Sequence, residues 1–249
     1  MTEIAEAKQT IDLKAGVADI IALIDQERER EIITRRFGLY DRRETLEQIG
    51  ELLGITRERV RQLEKAILIR LKIAAEDGKT DTVALLEKAF IRALSEMGRA
   101  ARISDLADKV YGKSTNLQER AHVAFIAALA PNLTLVDEND SYHQATAVAE
   151  YGDEKKLKGR VDEIVAVIKE AKEPQTVDQL YDKLSYEHPA QVAALASISK
   201  QLAHLRDSWG LTKWPTVNPK NIRDKIYVIL AENTKPMHFS EIAKSIKGS

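Results

Sequence analysis

Arg57, Glu58, Arg61 and Gln62 are the residues of this chain whose types and spacing fit a definite chemistry. A helix of about 3.6 residues per turn puts all four on one broad face. Arginine bonds bidentately to guanine O6 and N7, glutamine pairs with adenine, and glutamate accepts from cytosine N4, so the set can read base edges in a DNA groove. A merely solvated helix face would more often show interchangeable Lys and Glu.

The flanking residues decide between these two readings. Residues 44–72 run ETLEQIGELLGITRERVRQLEKAILIRLK. Residues 45–53 predict a short helix with Leu46, Ile49, Leu52 and Leu53 on its apolar side. Gly54 supplies the turn, because a residue without a Cβ adopts positive φ readily. Ile55 plugs the corner, and Thr56 can cap a second helix through its hydroxyl. There Val60, Leu63 and Ile67 recur at helical spacing as the buried face. The four polar residues are left outside, near the N-terminal half, where a recognition helix carries its base contacts. The complete pattern is a helix-turn-helix.

The wider segment couples ERERREIITRRFGL-type chemistry, here Glu27 through Leu39 with Arg35, Arg36, Phe37 and Gly38 near its end, to LGITRERVRQLEK. It resembles the last domain of bacterial primary sigma factors. That resemblance implies reading of a promoter −35 element in double-stranded DNA and docking on the β flap of RNA polymerase. It also implies base contacts by Arg57, Glu58, Arg61 and Gln62, and phosphate contacts by Arg42, Arg43, Arg59 and Lys65. Phe37 and Leu39 would be structural. Past Glu64, Ile67 and Ile69 stand where further basic residues are usual. Nothing in the chain resembles the sigma domains that melt the −10 region, so a self-sufficient sigma factor is not expected.

Composition sets outer bounds. The formal net charge is −1, which argues against a globally basic nucleic-acid coat. Residues 27–72 nevertheless hold 12 Lys and Arg against 9 Asp and Glu. There is no cysteine, hence no disulfide framework and no thiolate metal site. Ala, Leu, Ile, Glu, Lys and Arg dominate, a helix-forming composition. The start is acidic and polar, unlike a secretory signal. The apolar run at residues 123–130 is too short to span a bilayer. A cytoplasmic protein is expected, with no membrane partner. The five histidines are scattered, and no glycine phosphate loop, HExxH or GxSxG motif occurs. The reading is therefore no enzyme, no cofactor, no metal and no small-molecule substrate.

Beyond the helix-turn-helix, residues 94–107, 168–181 and 230–243 align without gaps. Each has an apolar helix end (Leu94, Ile168, Leu230), a turn (Ala100, Pro174, Pro236), an apolar anchor (Ile103, Val177, Phe239) and a further apolar residue (Leu106, Leu180, Ile242). Thr176 with Gln179 reads as a capping box. The first two copies continue into helical stretches, residues 116–129 and 191–206. β-prone strips follow: residues 133–136 turning through 137–140 into 141–144, and residues 209–217. Three helices and a hairpin make a winged helix.

The ending KPMHFSEIAKSI, preceded by NPKNIRDKIYVIL, resembles the HARE-HTH winged-helix family. That family includes the N-terminal domain of the RNA polymerase δ subunit. The third copy stops after its second helix, so it reads as part of something longer or as an extension of the second module. Lys200, His204 and Arg206 are weaker DNA-contact candidates, placed on or near the second module's third helix. Trp209 and Trp214 are expected to pack beneath its wing.

The expected fold is mainly α: a sigma-type helix-turn-helix followed by tandem winged-helix modules with short β wings. The divisions are an amphipathic helix in residues 1–26, with Val17, Ile20, Ile21 and Ile24 buried; the helix-turn-helix at 27–76; winged-helix modules at 82–149 and 157–218; and a partial module at 219–249. Residues 150–160 read as a charged linker. The function expected is sequence-specific DNA binding in transcription, with RNA polymerase as partner. The alternatives are a polymerase-docking protein with little DNA affinity of its own, and the DNA-targeting part of a larger enzyme such as a nuclease.

Overall fold

A computed structural model describes residues 12–78, 81–233 and 236–247. Among them the chain forms twelve α-helices and six short strands, the strands arranged in two three-stranded sheets. No helix among the described residues is long and apolar enough to cross a membrane. The chain divides into two compact units. One comprises Met1–Ala93, Ile103–Leu135 and Val148–Glu150; the other Leu94–Arg102, Val136–Ala147 and Tyr151–Ser249.

The first unit begins with α1 (Leu13–Ala22), capped by the Asp12 carboxylate and burying Leu13, Val17, Ile20 and Ile21, with Ile24 buried just beyond. The rest of the expected N-terminal helix, residues 1–11, lies outside the described residues. Next come α2 (Glu27–Phe37), α3 (Leu46–Leu53), α4 (Arg57–Glu76), α5 (Asp81–Glu96), α6 (Ile103–Tyr111) and α7 (Leu117–Leu129). α7 opens with an Asn116–Glu119 capping box and packs against α1, α2, α4 and α6. Phe125 lies edge-on to Phe37, with ring centroids 5.1 Å apart. The Leu39 carbonyl accepts from Gln118 Nε2 at 2.9 Å and lies 3.1 Å from His122 Nε2. Phe37 and Leu39 thus hold the first helices of the unit against α7.

His122 is 3 % exposed, and its Nδ1 has no hydrogen-bond partner. Because a carbonyl can only accept, Nε2 carries the proton of the neutral ring. Burial pushes the imidazole below its ordinary 6.5, ahead of the opposing effect of the Leu39 bond. Above that value the ring is neutral folded and unfolded, and its packing contributes fully. As pH falls below it, the unfolded chain takes up a proton first, so the unit loses stability until the folded ring is protonated too. Urea midpoints at pH 8, 6 and 5 should show this loss, smaller in His122→Gln. Parallel pH profiles for the two proteins would contradict it.

The second unit holds β1 (Ala100–Arg102), which pairs antiparallel with β3 (Ala145–Val148) in the register Ala100↔Ala147 to Arg102↔Ala145. The preceding strand, β2, is Leu133–Val136. The second arm of that hairpin was expected at residues 141–144 and instead starts at Ala145. Asn139 Oδ1 accepts from the Ser141 and Tyr142 amides, and Tyr142 bridges to Ser199, so residues 137–144 form a longer loop.

The expected charged linker is in large part helix. Asp153 caps α8 (Glu154–Ala171), because Leu157, Val161, Ile164, Val165 and Ile168 supply a buried stripe at helical spacing. Then follow β4 (Gln175–Thr176), α9 (Val177–Lys183) with the expected Thr176–Gln179 capping box, and α10 (Pro189–Ile198). β5 (Leu202–Leu205) and β6 (Ser208–Leu211) complete a sheet of order β4-β6-β5. Residues 191–206 were expected to be helical throughout, but α10 stops at Ile198. Leu202 to Leu205 instead pair with β6, a long-range ladder that outweighs local alanine-rich propensity. Trp209 is buried in this core and Trp214 packs against it, as the sequence suggested. The chain ends with α11 (Ile222–Glu232) and α12 (Phe239–Lys247).

Candidate nucleic-acid interface

Local chemistry builds the reading element. Thr45 caps α3 in a reciprocal box: Gln48 N donates to Thr45 Oγ1 at 3.2 Å, and Thr45 N donates to Gln48 Oε1 at 2.9 Å. Gly54 ends α3 at φ 65°. Thr56 Oγ1 then accepts from Arg59 N at 3.2 Å and starts α4. Ile49 and Val60 join Ile32 in one buried cluster, with Leu46, Leu53, Ile55 and Leu63 packed against it. Leu52 was expected on this apolar side but is 54 % exposed. The reason is angular, since Leu52 lies about a quarter turn round from Leu53 on so short a helix.

The turn also depends on Gly50, which the sequence pattern did not single out. A Cβ there would lie 2.7 Å from the Ile55 carbonyl oxygen, a backbone atom that cannot swing aside. The same backbone already donates Ile55 N to Gly50 O at 2.9 Å. Gly50→Ala should therefore destabilise the unit by about 1–3 kcal/mol through overpacking. Thermal unfolding with α4 intact at the wild-type midpoint would refute that.

α2 ties this element down. Arg28 Nη2 donates to the Leu53 carbonyl at 2.7 Å, Arg36 pairs with Glu64 at 3.1 Å, and Arg70 pairs with Glu29. Arg35 bridges Glu31 and Glu44, and both carboxylates raise its pKa.

Arg57, Glu58, Arg61 and Gln62 are all exposed on the first half of α4, beside Arg59 and Lys65. Arg61 Nε donates to Glu58 Oε2 at 2.8 Å and Arg61 Nη2 to Glu58 Oε1 at 2.7 Å. Gln62 Nε2 reaches Glu58 Oε1 at 3.4 Å, and Arg59 Nη1 reaches Gln62 Oε1 at 3.4 Å. The Arg61 hydrogen bonds hold the Glu58 carboxyl below its usual range, and Glu58 raises Arg61 in turn. The polar face is thus a connected network, ionised throughout the neutral range. Arg42 and Arg43 are exposed just ahead of α3.

Residues 26–72 match the family model for sigma-70, region 4. This segment is 46 % identical over 67 residues to the RNA polymerase principal sigma factor HrdD of Streptomyces viridifaciens, an alignment covering 26 % of this chain and 20 % of that protein. It is similar to the sigma factor RpoD of Helicobacter pylori, 44 % identical over 63 residues, 24 % of this chain and 9 % of that one. With the Arabidopsis thaliana sigma factor sigB it shares 50 % identity over 46 residues, 18 % of this chain and 8 % of that protein. The chain spans a fifth or less of the length of these relatives. The HARE-HTH resemblance of the later segments gains no support from these comparisons.

The sigma region 4-like helix α4 has no counterpart in the later modules. α10, PAQVAALASI, has no charged residue and packs against α8, α9 and β1. In α7 the polar residues are engaged locally: Gln118 on Leu39, Glu119 with Lys113, Arg120 on Thr115. Lys200, His204 and Arg206, expected on or near a third helix, lie past the end of α10. Lys200 pairs with Glu138 at 2.7 Å, and His204 on β5 packs its ring 4.8 Å from that of Trp209. Arg206 occupies the β5–β6 turn at φ 56°. These three residues belong to a wing hairpin and share no helical reading face.

Proposed function

We propose that this chain is a DNA-binding transcription protein that associates with RNA polymerase and reads a −35-like element through α4. The observation behind this reading is the exposed Arg57–Glu58–Arg61–Gln62 face on the first half of α4, within the segment similar to sigma-70, region 4. Arg42, Arg43, Arg59 and Lys65 contact phosphates on either side. The winged modules contribute spacing or protein contact, since α7 and α10 are sequestered in packing. Duplex DNA is the partner, no cofactor is needed, and no reaction is catalysed.

Fluorescence anisotropy of the purified chain on a labelled −35-like duplex and a scrambled one, over a salt series, tests this. Preference for the −35-like duplex is expected. Equal, weak binding to both would overturn direct readout. Arg42→Ala should weaken both duplexes alike and lower the salt slope by about one ion, because it removes one phosphate contact.

One feature favours a second reading, in which α4 docks polymerase with little DNA affinity of its own. Ile69 and Ile73, on the second half of α4, are 47 % and 51 % exposed. Loss of polymerase co-purification in Ile69→Asp, with duplex binding unchanged, would favour it.

A further inference from the structure

The polar network on α4 assigns its members different tasks, and this inference rests on the DNA-reading proposal. We infer that Glu58 is a positioning residue that aims Arg61 at guanine and does not itself read a base. The guanidinium has five N–H donors in a fixed plane. Glu58 takes Nε–H and one Nη2–H, at 2.8 and 2.7 Å, a side-on pairing. Both Nη1–H groups and the second Nη2–H are left on the outer edge of the guanidinium. That edge is a parallel donor fork of the kind that matches guanine O6 and N7.

The carboxylate, by contrast, is nearly used up. Oε2 holds Arg61 Nε, while Oε1 holds both Arg61 Nη2 and Gln62 Nε2. A cytosine amino group would have to compete with a charged donor for these oxygens. Without Glu58, Arg61 is a long side chain more than half exposed, free to sample many rotamers. With it, the donor fork is oriented before DNA arrives.

The test is a double-mutant cycle of Glu58→Ala and Arg61→Ala on the −35-like duplex and versions with one base pair replaced at a time. Glu58→Ala should lower the preference for one guanine by about two- to fivefold, the range of an exposed ion pair. It should change nothing further once Arg61 is alanine. Glu58→Gln, whose carbonyl oxygen still accepts one N–H, should retain part of the preference. Loss of discrimination at a cytosine, equal with and without Arg61, would overturn the inference while leaving α4 as the reader. A wild-type chain with no preference among these duplexes would remove the reading proposal and this inference together.

Discussion

Replacing Arg61 and Gln62 together by alanine should cut the preference for a −35-like over a scrambled duplex by on the order of tenfold to a hundredfold, given the usual worth of bidentate base contacts. The salt dependence should barely move. Counterion release follows the phosphates neutralised, and those contacts are assigned to Arg42, Arg43, Arg59 and Lys65. The fold should also be indifferent, because both side chains are exposed and neither joins the cluster of Ile32, Ile49 and Val60. Anisotropy titrations with a thermal melt of the same sample separate these effects. A variant that lost affinity for both duplexes equally, with a shallower salt slope, would show that the face holds backbone and reads nothing.

Phe125→Ala should cost the first unit about 3–5 kcal/mol, the range for removing a fully buried aromatic ring. Phe125 is 0 % exposed and meets Phe37 edge-on at 5.1 Å, at the end of the helix that braces the reading element. Its helix, α7, also packs against α1 and α4. Duplex binding should therefore fail at the same urea concentration as the helical signal, although Phe125 is far along the sequence from α4. A loss below about 1 kcal/mol, or duplex binding that outlasts the unfolding of α7, would show that the helix-turn-helix stands without it.

Much of the reading element was legible in its residues because its determinants are local. Thr45 with Gln48, Gly54 and Thr56 act over three or four positions, and Val60 and Ile67 mark the buried face by period alone. Leu52 shows the margin of that logic, since a helix of two turns buries a narrow arc. Gly50 escaped notice because its constraint is the approach of the Ile55 carbonyl, a distance that no residue type announces. The repeat was legible too: Ala100 and Gln175 begin equivalent strands ahead of α6 and α9.

The sequence by itself determined where α3 and α4 begin, which face of α4 is polar, and that the chain would be helical with short strands. Each follows from caps, turns and periodicity within a few residues. Only the tertiary structure decided that α7 braces the sigma region 4-like segment, and that α10 is buried and cannot read a groove. It alone turned the stretch carrying His204 and Arg206 into a wing. Those outcomes depend on which distant surfaces meet: a strand partner such as β6 overrides local helix preference, and an apolar helix takes its role from what covers it.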